Sequence, residues 1–591
     1  MLAATAENGT IPIEPQRLPF KKHCPITAIV KKTRRTAKPK PPHGSARSWD
    51  GVLLAELPPE AVRAIEWAVF AVACVAAVWL NVSLLVHSGA FWRDECSTIL
   101  VAQSPGWSDL WRALPNDSFP VLFAGLLRLW ILSGLGATDV GIRVLGFLIG
   151  LGIPAAAFFC CRTFSRRPPL LAVSLLAVCP TTFYFGSSMR AYGLAAIVAL
   201  LCLAAFWRLV EHPTRRNAVI ATVLAVLNVQ ACYQNSYLLF GIGVAGAVAC
   251  LFRRRWKLAV LILAIGGLAA CSLVPYGSII AQYRTANELA FSDFHLETVG
   301  GKFADALAGG PNALLAVWTL LLGTAALSAC LHVVRDGVRG VASPAFYVLV
   351  AAVVSGLTGF AFMTINAMSP FEWHYAPLIA LLAVDVDVGL EPLNANAWVQ
   401  QSRIAAAGMV LVLGFLPASA MSHLRRTNVD LACQAIASRA ESSDLVLAIP
   451  PYIAPSVCHY DHGSAPWTTI PMAGRGQCTS SPAIRQRMAT PDAIRPTLQT
   501  IQDYLQAGRR VWIVRNHPQE TLTSAPPSPP PITARSSGWN QDRCIDAWIK
   551  QIDYVLQTHA VNVSGNLLPT GEPVHPLENV TVYRIEGWRA R

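Results

Sequence analysis

Phe91-Trp92-Arg93-Asp94-Glu95 stands just past the first long apolar segment, Ile65–His87. That segment matches the ~20 residues a helix needs to cross a bilayer. It therefore delivers two adjacent carboxylates to a membrane surface. Charged residues make up only 14% of the chain. Acids at the mouth of a span then invite a chemical reading, as a general base or a cation ligand at the water boundary of a membrane enzyme. The plain alternative is that a loop after a span is polar anyway.

Working outward, the chain of 591 residues is 53% hydrophobic, with a mean hydropathy of +0.42. This places it in the multi-pass membrane class. The net charge of +13 does not call for nucleic acid. Its basic residues fall in short clusters between apolar runs, as loops on the cytoplasmic side do. The chain opens with a polar stretch, so no cleavable signal peptide is expected. Fifteen cysteines show no CxxC pair and no Cys/His metal spacing, and most lie in apolar runs as small hydrophobes.

Three regions are expected: a disordered, basic, Pro-rich cytoplasmic tail over 1–60, a transmembrane domain over 61–421, and a soluble α/β domain over 422–591. The tail serves as an orientation signal or touches anionic headgroups. Outer loops are expected at 88–119 and 276–312. Beyond Ile65–His87, apolar runs fall near 121–135, 144–159, 170–185, 193–210, 218–231, 238–251, 258–275, 313–334, 345–365, 375–388 and 404–420. Basic clusters at Arg162 with Arg166-Arg167, Arg215-Arg216, Arg253-Arg254-Arg255 and Arg335 with Arg339 mark one side. Ser97–Leu114 reads as interfacial, with Trp107 and Trp111 at headgroup depth. The parity conflicts at one point. Counting back from Arg166-Arg167 puts the turn at Thr138-Asp139 outside, whereas a full crossing by Val121–Leu135, which carries Arg128, puts it inside.

After Ala420 the composition turns soluble. Strands are expected at Asp444–Ile449, Arg510–Val514 and Asn579–Ile585, with helices near Leu498–Ala507 and Cys544–Thr558. Cys433, Cys458, Cys478 and Cys544 admit three pairings if all are bonded.

Several stretches, in order, resemble one family. Trp92-Arg93-Asp94-Glu95 is followed by Asp117-Ser118-Phe119-Pro120-Val121-Leu122-Phe123, then by the turn Gly136–Gly146 with Asp139 and Arg143, then by Ser188-Met189-Arg190-Ala191-Tyr192, Trp373-His374-Tyr375-Ala376-Pro377 and Ser443–Leu447. Together they resemble GT-C glycosyltransferases of the protein O-mannosyltransferase and aminoarabinose-transferase type (glycosyltransferase family 39 and its bacterial relatives). The departures are Phe119 for a His, Val121 for a Pro and His374 for an Arg. The resemblance implies an α-helical multi-pass, GT-C-like membrane protein with about 11–13 transmembrane helices and a small C-terminal α/β domain outside the cytoplasm. It implies transfer of a sugar from a polyprenyl-phosphate donor to a lipid, glycan or protein acceptor on the outer membrane face.

On this resemblance Asp94 is the base that takes the acceptor proton, and Glu95 positions the acceptor or helps hold a cation. Arg190 is the first candidate for the lipid phosphate, since Arg meets phosphate in bidentate geometry. Tyr192 and His374 follow. Asp117 binds substrate or caps a helix, and Arg143 binds phosphate or ends a span at the lipid. Arg93 either belongs to the site or anchors at headgroups. In the loop from Gln282 to Pro311, Tyr283, Arg284, Asp293, His295, Glu297 and Lys302 either cover the site or merely connect spans. No metal site is expected there; a divalent cation is compatible with a two-acid loop but not demanded by it. The expected location is a bacterial inner membrane with the C-terminal domain outside, among membrane lipids. The rival readings are a transporter or flippase for a lipid-linked or polar solute, and an inactive scaffold of the same fold. A transporter predicts repeated halves, which the sequence lacks.

Overall fold

The computed structural model describes residues 58–282, 296–309, 312–365, 370–394, 396–472, 486–529, 531, 541–565, 568 and 571–590. The tail over 1–57, and Tyr283, Arg284, Asp293 and His295, lie outside the described residues. Among the described residues, eight helices are long and apolar enough to cross a membrane, and the protein is an integral, multi-pass membrane protein. They are α1 (Pro59–His87), α5 (Asp139–Phe164), α7 (Tyr192–Glu211), α9 (Asn235–Phe252), α10 (Trp256–Cys271, whose apolar run continues to Gln282), α12 (Asn312–Asp336), α14 (Pro344–Ile365) and α16 (Ala397–Ser422). Shorter helices lie between them: α6 (Leu170–Val178), α8 (Arg215–Ala231), α11 (Leu296–Ala308), α13 (Val338–Val341) and α15 (Ala376–Gly389). α6 is apolar on every side and buried throughout, as a helix inside a bundle must be, and α15 is buried along nearly all of its length with two acids, Asp385 and Asp387, inside the bundle. Chain alternation assigns further crossings to α6, α8 and α15.

The two ends of the bundle differ in chemistry. At one end, Arg167 pairs with Glu66 (3.4 Å) and donates to the Asn394 carbonyl, while Arg403 binds Asp387 (2.7 Å). Arg253 binds Glu211 (2.6 Å) at the foot of α7. The basic clusters recognised in the sequence therefore gather there, tying helix ends together. The opposite end carries Asp94.

The parity conflict is settled by α4 (Val121–Leu132). Both of its ends stay at the Asp94 end. Val121 N donates to the Tyr276 hydroxyl (3.3 Å), and Trp130 Nε1 donates to the Gly141 carbonyl (2.9 Å) in the first turn of α5. The crossing by Val121–Leu135 is the assumption that fails, and Thr138-Asp139 lies at the Asp94 end. Arg128 neither snorkels nor faces lipid. It donates to the carbonyls of Ala102, Ser104 and Pro105, satisfying the end of α2 (Arg93–Ala102). Trp107 and Trp111 of α3 (Trp107–Ala113) are exposed, as an interfacial helix requires.

The C-terminal region holds a five-stranded sheet in the order β2-β1-β3-β5-β4. β1 (Leu445–Ile449) runs parallel to β2 (Trp467–Thr469) and β3 (Val511–Arg515). β5 (Thr581–Trp588) runs antiparallel to β3 and to β4 (Ala560–Ser564). β1 and β3 are buried on both faces and read as continuous apolar runs for that reason. Helices α17 (Val429–Ala437) and α18 (Ala454–Tyr460) cover one face, and α19 (Arg495–Gln506) and α20 (Gln541–His559) the other. The expected strands and helices are present; β2 and β4, three and five residues long, are additions. Pairing of all four cysteines does not occur, and Cys478 lies outside the described residues. Cys458 is disulfide-bonded, whereas Cys433 and Cys544 are buried free thiols.

One glycine fixes the junction between bundle and sheet. Gly89 sits at φ +62° beside Thr427, and a Cβ there would lie 2.6 Å from the Arg425 guanidinium. Gly89→Ala is expected to lower stability by about 1–2 kcal/mol through the left-handed backbone alone, read as a fall in the thermal midpoint.

Candidate functional site

The site is built where α1 ends and α2 begins. Acids in a first helical turn are favoured by the helix dipole, and Asp94 and Glu95 occupy that turn. Their side chains diverge. Glu95 is 1% exposed; its Oε2 accepts from Trp92 N (3.3 Å), its Oε1 accepts from Met189 N (2.9 Å), and Arg426 lies 3.5 Å away. The Asp94 side chain is 31% exposed, and its one ion-pair partner among the described residues is the neighbouring Arg93 guanidinium, at 3.7 Å. Of the two adjacent acids, one is spent on structure and one is open.

Arg190 comes from the turn before α7. A π-helical turn, Thr181–Phe185, precedes it and redirects the chain after α6. This presents Met189 N to Glu95 and the Arg190 side chain to α2. Arg190 NH1 donates to Asp117 Oδ1 (2.6 Å), Thr98 Oγ1 (2.8 Å) and the Asp94 carbonyl (3.1 Å). Its guanidinium lies 4.5 Å from the Phe119 ring centre. Burial pushes this guanidinium down, but the charge of Asp117, with Tyr192 and Asp94, outweighs that and holds it above the ordinary arginine value. The Asp117 side chain is therefore a partner of Arg190; the residue before α4 is Pro120, without a side-chain cap.

His374 stands opposite, its ring 5.9 Å from that of Tyr192. Its Nδ1 accepts from Phe371 N (3.0 Å), which leaves Nε2 as the protonated nitrogen. Burial, with the nearby Arg190 charge, lowers its pKa to about 3. It is a neutral donor, not a cation. Tyr192 packs edge-on to Phe119. Lys302 of α11 pairs with Glu372 beside this turn (2.7 Å), while Glu297 is exposed. Asp94, Glu95, Asp117, Arg190, Tyr192 and His374 thus share one end of the bundle. Arg143 lies on the far side of Glu95, stacked on Phe91 at 4.2 Å.

Among solved structures, the chain is similar to ArnT from Cupriavidus metallidurans in the apo state, at 15% identity over 76% of this chain and 93% of that chain, with a TM-score of 0.48. It is similar to the same protein bound to undecaprenyl phosphate, at 14% identity over 76% and 92%, with a TM-score of 0.47. It is also similar to the Archaeoglobus fulgidus oligosaccharyltransferase in complex with zinc and sulfate, at 12% identity over 75% and 67%, with a TM-score of 0.45. No family model and no curated protein matches the chain.

The sheet domain reaches into the site through residues that sequence reasoning passed over. Glu578 is fully buried. It accepts from Arg93 N (3.0 Å) and Ser456 Oγ (2.7 Å), with the Arg93 guanidinium at 3.8 Å. Arg93 is clamped rather than anchored at headgroups: it donates to the Leu577 carbonyl and stacks on Tyr452. Phe91 N donates to the Tyr460 hydroxyl (2.7 Å), which donates in turn to Asp139 (2.9 Å). The loop before Asp94 is thus held from above by three side chains of the sheet domain.

Burial raises Glu578 to about 7, from an ordinary glutamate value near 4.5. A carboxyl raised on folding stabilises fully below its unfolded value, and that stability is lost as pH rises through its folded value. Stability is therefore expected to fall between about pH 4.5 and 7 from this group, and Glu578→Gln to flatten that slope. Thermal midpoints of both proteins across pH 4–8 check this.

Glu95 already accepts from two backbone N–H groups, and Asp117 is paired with Arg190. Among the described residues no three His, Cys, Asp or Glu side chains converge as a metal site.

Proposed function

We propose that the protein is a membrane glycosyltransferase that moves a sugar from a polyprenyl phosphate to an acceptor hydroxyl outside the cytoplasm. The observation that carries this reading is Asp94: an open carboxylate beside a buried twin, on a loop braced from both the bundle and the sheet domain. Asp94 takes the acceptor's proton as the acceptor oxygen bonds to the anomeric carbon. The bond from that carbon to the carrier phosphate breaks, and the carrier leaves as a phosphate. In this reading Arg190, and the Nε2–H of neutral His374, meet the charge that develops on the phosphate. Glu95 and Asp117 are positioning residues, holding Met189 and Arg190. Tyr192 lines the same side.

The Asp94 end is read as the outer side, since the clusters of Arg167 and Arg253 lie at the other end. The Cys458 disulfide is in keeping with an oxidising compartment around the sheet domain. A bacterial inner membrane is the setting that suits a polyprenyl carrier. In this reading 1–60 is a cytoplasmic tail, 61–421 the membrane domain and 422–591 the outer domain.

Proteoliposomes given a panel of sugar-labelled polyprenyl phosphates test the reading against a flippase. Transfer predicts that the label leaves the carrier and appears on an added acceptor. Movement of intact labelled donor between leaflets, with no loss of sugar from it, contradicts it.

A further inference from the structure

A polar cavity opens between the Asp94-end turns of α1 and α5. Its polar lining is Asn81 and Ser88 from α1, Glu95, Arg143 from α5, Ser187 and Arg426; Asp94, Asp117 and Arg190 are not part of it. Arg426 is 3% exposed. Its backbone N–H donates to the Ser88 carbonyl and one guanidinium nitrogen donates to the Tyr184 carbonyl (2.6 Å). Its Nε and NH1 find no hydrogen-bond acceptor among the described residues. NH1 lies 3.5 Å from Glu95 Oε1, an ion pair without a hydrogen bond, and that oxygen already accepts from Met189 N.

Arg143 lines the same cavity and repels Arg426 electrostatically. The other carboxylate whose charge acts on Arg143, Asp139, is engaged by Tyr460 and His459. Two guanidinium groups thus share one cavity with one carboxylate that is already occupied. A buried guanidinium with open N–H groups calls for an acceptor, and its planar fork matches a phosphate. Asn81 Oδ1, also open, offers an acceptor to a hydroxyl beside that phosphate. The flanking surfaces of α1 and α5, at Val82, Val86, Val140 and Leu148, are apolar and exposed, so the cavity lies beside lipid-facing surface.

We propose that this cavity is a second anion site, holding a phosphate group between Arg143 and Arg426, apart from the Asp94 centre. The phosphate comes from a phospholipid head or from free phosphate. The inference does not rest on glycosyl transfer, because its readout is binding.

The test uses the purified full-length chain in detergent. Dioleoyl phosphatidic acid and dioleoyl phosphatidylcholine are titrated by native mass spectrometry, and inorganic phosphate by thermal shift. Phosphatidic acid is expected to bind at least about tenfold more tightly than phosphatidylcholine, with Arg143→Gln and Arg426→Gln each removing that preference. A thermal shift by inorganic phosphate that is lost in the same variants, with no lipid preference, assigns free phosphate. Arg143 is half-buried, so its variant decides the matter if Arg426→Gln does not fold. Equal binding of both lipids with no phosphate effect overturns the proposal. So does a preference that survives in Arg143→Gln.

Discussion

Asp94→Asn is expected to lower sugar transfer by about 10²–10⁴-fold while leaving the protein folded. The amide keeps the size and the exposure of the side chain but cannot take a proton. Because Asp94, among the described residues, pairs only with Arg93 and across 3.7 Å, its loss costs little stability. Glu95→Gln is expected to behave in the opposite way, since Glu95 holds two backbone N–H groups in the interior. It lowers the thermal midpoint, and transfer falls with the folded fraction. The contrast between neighbouring residues separates chemistry from support. If Asp94→Asn transfers at the wild-type rate, Asp94 is not the base.

The second large effect concerns Arg190 and Asp117. The pair is almost fully buried, with side-chain exposures of 5% and 1%. Removing one partner strands the other charge, so Arg190→Ala or Asp117→Ala is expected to cost about 3–5 kcal/mol of stability. The double variant removes both charges and is expected to cost less than the sum of the two, by about 0.5–3 kcal/mol. Thermal unfolding of the four proteins in one lipid completes the cycle. Additive losses would mean that the two residues act apart, and that Arg190 owes its orientation to Thr98 and the Asp94 carbonyl alone. Transfer by Arg190→Lys provides a separate readout. Lys keeps the charge but loses the planar fork, so the fold persists better than the rate does.

The features legible in the sequence were those set by local chemistry. Apolar periodicity located the long helices, and basic clusters located one end of the bundle. Alternating and continuous apolar runs located β1, β3 and β5. Asp94 and Glu95 stood out in the sequence because adjacent acids at a span mouth are rare in a chain this apolar. The unreadable part was pairing across distance. Nothing in Asp94-Glu95 says which acid turns inward; that depends on Met189 and Arg426, brought in by a π turn and by the end of α16. Glu578 lies 485 residues from Arg93, in a stretch of ordinary loop composition. The Val121–Leu135 run looked like a span because the hydropathy of α4 serves burial against α2 and α5 instead.

One signal was available for Arg426. Arg425-Arg426 follows the last span at the end where basic residues are disfavoured in this chain. Arg425 is accounted for by Asp430 and Glu572, at 2.7 and 2.9 Å. Arg426 is buried beside Glu95, and its position against the charge rule marks it as a residue with a local task.

The most direct measurement is the release of polyprenyl phosphate from a labelled polyprenyl-phosphate sugar by the purified protein in lipid, followed together with sugar gained by the acceptor. The account predicts one carrier phosphate released for each sugar transferred by wild type, and release at the background rate by Asp94→Asn. Equal release by both proteins, or acceptor glycosylation with no release of carrier, would contradict it.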